Sequence, residues 1–177
     1  MQLSRLMLQE PVDQMGKAVW YFVNVTSLGD SAKEWLQEAA EEGLISTVIM
    51  VETHILGPLG PLRRCLRKMG WRLISEPAVR TGRSVTGTTA GVMILARLNV
   101  RLQGKLPPLR DPRGIMAGRF KAGEIRLHNV SCVFCCGYFE VGVGLAGNYD
   151  RMQVVGGFLH SLKCQWILAA DFNIEPS

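Results

Sequence analysis

Trp166-Ile167-Leu168-Ala169-Ala170 runs apolar into Asp171, and the chain then continues Phe172-Asn173. A short apolar run rich in branched and aromatic residues reads as a buried strand, and this one delivers a carboxylate at its end. Two earlier runs have the same form: Val19-Trp20-Tyr21-Phe22-Val23 before Asn24, and Val48-Ile49-Met50-Val51 before Glu52. If the three strands finish at one edge, two carboxylates and an amide converge from distant parts of the chain. Such a hard oxygen set suits Mg²⁺. Asp171 and Asn173, two apart in extended chain, point the same way. One can then orient water or accept a proton while the other donates to an anionic oxygen.

At 177 residues and 47% apolar, the chain can form one domain with a real core. No apolar stretch approaches the roughly 20 residues of a spanning helix. Residues 1–17 read as a loose lead-in without a secretory apolar segment, so the expected location is intracellular, cytoplasmic or nuclear. The five cysteines are an odd number and read as free thiols. The net charge of +5 is unevenly spread. Arg63, Arg64, Arg67, Lys68 and Arg72 cluster, Arg80 and Arg83 follow in a polar loop, and Arg110, Arg113, Arg119 and Lys121 form a third group. Such patches attract phosphate backbones, although charge alone favours the plainer reading of a solvated, mildly basic surface.

The order of elements is strand, helix, strand, helix, several strands, helix, strand, in a single domain over 18–177. Ser31-Ala32-Lys33-Glu34 has capping-box spacing, and the helix it opens should end near Gly43. A second helix is expected from Pro61 to about Gly70. Trp71 to Ile74 and Ala90 to Ala96 read as strands, 101–118 as an excursion, and Glu124 to Tyr138 as two strands meeting around Asn129. The last helix is expected over Tyr149 to Leu162, capped by Asn148 or Asp150.

Two other patterns compete for the function. Gly142-Val143-Gly144-Leu145-Ala146-Gly147 matches the dinucleotide fingerprint, with Asp171 placed as a ribose acid, but it stands near the end of the sequence rather than opening a nucleotide domain. Cys132, Cys135 and Cys136 suggest zinc, but no second knuckle is present. Strand alternation sends Cys132 and Cys136 to one face and Cys135 to the other, so core packing is expected. His54 lies beside Glu52, while His128 and His160 read as structural.

Several segments together resemble the endonuclease/exonuclease/phosphatase superfamily, the deoxyribonuclease-I-like and abasic-endonuclease-like phosphodiesterases. They are Val23-Asn24-Val25-Thr26-Ser27-Leu28, Val51-Glu52-Thr53-His54, Gly91-Val92-Met93-Ile94-Leu95, Gly137-Tyr138-Phe139 and Ala170-Asp171-Phe172-Asn173. Asn148 and Pro176 also fit one branch. The resemblance implies an α/β fold, a four-layer sandwich of two packed mixed sheets flanked by helices. It implies phosphoester hydrolysis with Mg²⁺ (or Mn²⁺): Glu52 as metal ligand with Asn24 near it, Asp171 orienting the attacking water, Asn173 stabilising developing charge and Tyr138 contacting phosphate. Arg80, Arg83 and Asn148 would be weaker phosphate or nucleic-acid contacts. Nucleic acid is the implied partner, with a phosphorylated small molecule or lipid headgroup as the other option.

The chain departs from the family pattern at Val51, where Gln is usual, and at Ala170, where Gly is usual. Phe139-Glu140 replaces the common Pro-containing turn. A Ser-Asp-His segment that would close the site does not occur after Asp171. The expectation is therefore a partial sandwich, catalytically incomplete and with an apolar sheet face and strand edges open to another chain. Two rival functions remain: a non-catalytic nucleic-acid-binding remnant, and dinucleotide binding through Gly142 to Gly147.

Overall fold

The computed structural model describes residues 19–82, 87–103, 106–127 and 130–173. Among these residues the chain forms ten strands and three helices. The first sheet holds β1 (Trp20–Asn24), β2 (Thr47–Val51), β6 (Val92–Arg97) and β3 (Trp71–Glu76), in that order. Helix α1 (Asp30–Glu42) is the crossover that makes β1 and β2 parallel, and α2 (Gly60–Lys68) follows β2. The second sheet has the order β10 (Trp166–Asp171), β9 (Val130–Tyr138), β8 (Phe120–Leu127), β7 (Arg101–Gln103). Helix α3 (Gly144–Ser161) carries the chain from β9 to the parallel strand β10. A small antiparallel pair, β4 (Val79–Arg80) with β5 (Thr88–Thr89), lies outside both sheets.

Side-chain alternation explains the layering. In β2, Val48 and Met50 enter the cluster beneath α1 and α2, while Ile49 and Val51 enter a second cluster shared with the other sheet. In β6, Met93 and Leu95 go one way and Val92, Ile94 and Ala96 the other. In β9, Phe134, Cys136 and Tyr138 face the first sheet, whereas Val133 and Cys135, with Phe139 just past the strand, pack beneath α3 with Val155 and Phe158. A strand buried on both faces must be apolar at every position, which is why β2 reads as an unbroken run. The described residues thus make a partial α/β sandwich with the layers helix, sheet, sheet, helix. The sheet faces are therefore covered, contrary to the expectation of an open face. The edges are not. Val19, Trp20, Trp166 and Phe172 are all substantially exposed, and they lie on or beside the two edge strands β1 and β10.

The cysteines behave as packing residues. All five are free; Cys135 and Cys136 are fully buried, and Cys136 Sγ donates to Met50 O at 3.3 Å across the sheet interface. Burial pushes the Cys135 thiol up to about 12 and raises that of Cys136 as well.

The three helix starts differ from those read in the sequence, β8 begins at Phe120 rather than Glu124, and strand β7 lies within 101–118, which was read as an excursion. Helix α1 begins at Asp30 with Gly29 at its N-cap, so Ser31 lies inside the first turn and no side-chain cap forms. Helix α2 begins one residue before Pro61, which places that proline in the first turn, and ends at Lys68. Helix α3 begins at Gly144, so Asn148 and Asp150 are helical rather than capping. Asn148 is instead fully buried and joins helix to strand end, accepting from Glu140 N and donating to Glu140 O, both at 2.9 Å. The loose lead-in, Arg83, His128, Asn129 and Pro176 fall outside the described residues.

Gly91 holds the end of β2 against the following loop. Its carbonyl accepts from Thr53 N at 3.0 Å, its N–H donates to Gly118 O at 2.8 Å, and its φ is +86°. A Cβ there would lie 2.5 Å from Thr53 Oγ1. Gly91→Ala adds left-handed strain to that clash, and we expect a loss of about 2 kcal/mol. Thermal unfolding should register this as a fall of roughly 4–8 °C.

Candidate active site at the strand ends

Strands β1, β2, β9 and β10 stop at one rim, and each contributes a polar side chain at or just beyond its last residue. Asn24 Nδ2 donates to Asp171 Oδ2 at 2.9 Å, linking residues 147 apart in sequence. Asn24 Oδ1 in turn accepts from Thr26 N at 3.1 Å. Asp171 Oδ1 accepts from Asn173 N at 3.1 Å, and Asn173 Nδ2 donates to Phe139 O at 2.9 Å. Phe139 N donates to Asp171 O at 2.9 Å, so the β10 end is tied to β9. On the other side of the rim, the Tyr138 hydroxyl makes a short hydrogen bond to Glu52 Oε1.

Among the described residues, five other than glycine adopt left-handed φ: Thr26 at 55°, Glu52 at 57°, His54 at 53°, Ala90 at 63° and Asn173 at 46°. Thr26, Glu52 and Asn173 are at or within two residues of the site groups just described. His54 N bonds Ala90 O at 3.1 Å beside Gly91, on the loop that follows Glu52. Non-glycine residues occupy this region at a cost and gather where side chains must be aimed. Neither spacing nor hydropathy signals such backbone geometry in the sequence.

Tyr138 is held from behind by Arg119. The guanidinium carbon lies 5.5 Å from the ring centre, and Arg119 O accepts from Tyr138 N at 2.8 Å. Burial raises the phenol's pKa, and the hydrogen bond and charge of Glu52 raise it further, with Arg119 opposing. Tyr138 therefore stays a neutral donor. Burial also lowers the pKa of Arg119. Arg119 appeared in the sequence only as one member of a basic group, and nothing in its spacing linked it to Tyr138.

The remaining expected residues are placed elsewhere. Arg80 is exposed in β4, opposite Thr88, whose hydroxyl meets His54 Nδ1 at 3.1 Å. Asn148, expected as a phosphate contact, is fully buried, with its amide hydrogen-bonded to Glu140 and Gly144. The Gly142 to Gly147 stretch does turn into the start of α3. However, the sheet it leaves packs against a second sheet rather than being doubly wound.

Among the described residues no group of three or more His, Cys, Asp or Glu side chains could hold a metal ion. The candidate oxygen donors are the Glu52 and Asp171 carboxylates with the Asn24 amide. Glu52 Oε2 accepts no hydrogen bond among the described residues and remains available. Mg²⁺ binds through one or two carboxylates and keeps several waters, so this set fits it.

The fold is similar to that of solved structures that include an endonuclease/exonuclease/phosphatase family protein. It is similar to the endonuclease domain of TRAS1, a telomere-specific non-LTR retrotransposon, with TM-score 0.56 and 12% identity. That match covers 90% of this chain and 61% of the TRAS1 domain. An endonuclease/exonuclease/phosphatase family protein from Leptotrichia buccalis gives TM-score 0.56 at 15% identity, over 89% of this chain and 67% of that one. D. rerio TDP2 complexed with a single-strand DNA product gives TM-score 0.55 at 14% identity, over 84% and 56%. The chain thus spans 56–67% of the length of these structures. It matches no protein-family model and no curated protein sequence. No helix among the described residues is long and apolar enough to cross a membrane.

Proposed function

We propose that the rim is the metal- and phosphate-binding side of a Mg²⁺- or Mn²⁺-dependent phosphodiester hydrolase acting on nucleic acid. The observation that carries this reading is the paired closure of the rim, Asn24 to Asp171 and Tyr138 to Glu52, by residues from four strands. Glu52 would hold the metal, with Asn24 beside it. Bound there, the ion would neutralise charge developing on a phosphoryl group.

The chain's own residues prepare the rest. Asn24 fixes Asp171 through Oδ2, which aims the carboxylate at a water rather than leaving it to rotate. Asp171 then orients that water and takes its proton. Tyr138, kept neutral, donates a hydrogen bond that fixes Glu52 or, once released, contacts phosphate. Asn173 has one amide N–H on Phe139 O and a second left for an anionic oxygen.

A second reading, binding without cleavage, is favoured by one observation. Of the described histidines, His54 is bonded to Thr88 and His160 lies in the last turn of α3. Neither occupies the rim's hydrogen-bond network. The exposed edges β1 and β10 also support the expectation that another segment or chain pairs there. Conversion of supercoiled plasmid to nicked and linear forms separates the two functions. Cleavage with Mg²⁺ that stops with EDTA is the expected result. Plasmid retained in a gel shift but never cut establishes the binding reading instead.

A further inference from the structure

Helix α2 carries Arg63, Arg64, Arg67 and Lys68 within nine residues and has no acidic residue. All four are exposed, as is Arg72 at the start of β3. None of the five forms an ion pair among the described residues. Four ion pairs do form elsewhere, Lys33 with Asp30, Arg113 with Asp150, Lys121 with Glu76 and Arg151 with Glu140, and what sets α2 apart is five exposed cations grouped on one helix and the strand after it.

The arrangement works against the helix. Arg63 with Arg67, and Arg64 with Lys68, are like-charge pairs at i,i+4, which repel each other across one turn. Arg63 and Arg64 also stand near the positive end of the helix dipole, where cations are disfavoured. Arg67 and Lys68 lie in the last turn, where the negative end of the dipole favours them, so what is unfavourable is the repulsion within the ridge, which an external polyanion would relieve.

The position suits a polyanion bound at the rim. A short loop, 52–59, joins Glu52 and His54 to the start of α2 at Gly60, and Ile55 O on that loop accepts from Ala78 N at 2.8 Å, beside β4. The neighbouring helix α1 bears the exposed residues Glu34, Glu38, Glu41 and Glu42, which would repel a polyanion and confine it to the α2 side.

We propose that the exposed ridge of α2, with Arg72, is a phosphate-backbone surface that holds nucleic acid extending from the rim. This rests on the nucleic-acid reading above. Contact is to phosphates rather than bases, so it positions the polymer without reading sequence.

The test compares the whole protein with the variant Arg63→Gln/Arg64→Gln/Arg67→Gln/Lys68→Gln, glutamine having similar helix propensity. Both are titrated with a 20-base-pair duplex in EDTA over a range of salt. The wild type should bind with a steep salt dependence. The variant should bind at least ten-fold more weakly at low salt, with a log–log slope shallower by about 2–4, since each neutralised phosphate contributes about 0.9. Replacing the three arginines by Lys should restore the slope, which a folding defect in the helix would not allow. Equal affinity and slope in the glutamine variant overturn the ridge while leaving nucleic-acid binding intact. A wild type that binds no duplex but shows salt-sensitive self-association, acidic α1 of one copy against α2 of another, also overturns it. Metal-dependent cleavage of a small phosphodiester, which needs no ridge, reports separately on the rim.

Discussion

Asp171→Asn should reduce Mg²⁺-dependent phosphodiester cleavage by about 10³-fold, equivalent to roughly 4 kcal/mol of transition-state stabilisation. The substitution keeps the shape of the side chain and one oxygen for Asn24 or Asn173, so the fold should survive. What it removes is the negative charge that orients and deprotonates water. The effect should fall on kcat more than on KM, because the carboxylate acts on the water rather than on the bound phosphate. Circular dichroism of the variant should match that of the wild type. Cleavage that persists at the wild-type rate in Asp171→Asn would remove this carboxylate from the chemistry.

Trp71→Ala should cost about 4 kcal/mol of folding stability, a large part of the roughly 5–15 kcal/mol typical of a domain. Trp71 is fully buried at the start of β3, packed in the cluster beneath α1 and α2. Its Nε1 donates to Leu36 O at 2.9 Å, and the Arg97 guanidinium lies 5.3 Å from the ring centre. Truncation opens a cavity, frees a helix carbonyl and leaves Arg97 without its aromatic face. Urea unfolding should show the midpoint falling sharply at unchanged slope. A loss below about 1 kcal/mol would mean that α1 is not anchored through this ring.

Three of the rim residues were legible in the sequence because each stands at the end of an apolar run, whereas Tyr138 came only from the family resemblance. Asn24, Glu52 and Asp171 follow β1, β2 and β10, and Tyr138 closes β9. Strand periodicity also assigned Cys132, Cys135 and Cys136 to their faces, since alternation is fixed by the pleat. The helix starts were read less well. Ser31 had the right spacing for a cap, but Gly29 took the position, and Asn148 looked like a cap while serving as a buried bracket to Glu140.

Local chemistry therefore determined the long apolar strands, but not the short strands β4, β5 and β7, and showed that Glu52 and Asp171 are the carboxylates on offer. Only the tertiary structure decided how they meet. The Asn24 to Asp171 bond, the Tyr138 to Glu52 bond and the Arg119 contact behind Tyr138 each join residues far apart in the chain. Periodicity carries no information about such partners, because it records which face a side chain takes and not what stands opposite. The left-handed backbone at Thr26, Glu52 and Asn173 was hidden for a related reason. Nothing in those side chains demands it, and the surrounding sheets and loops impose it.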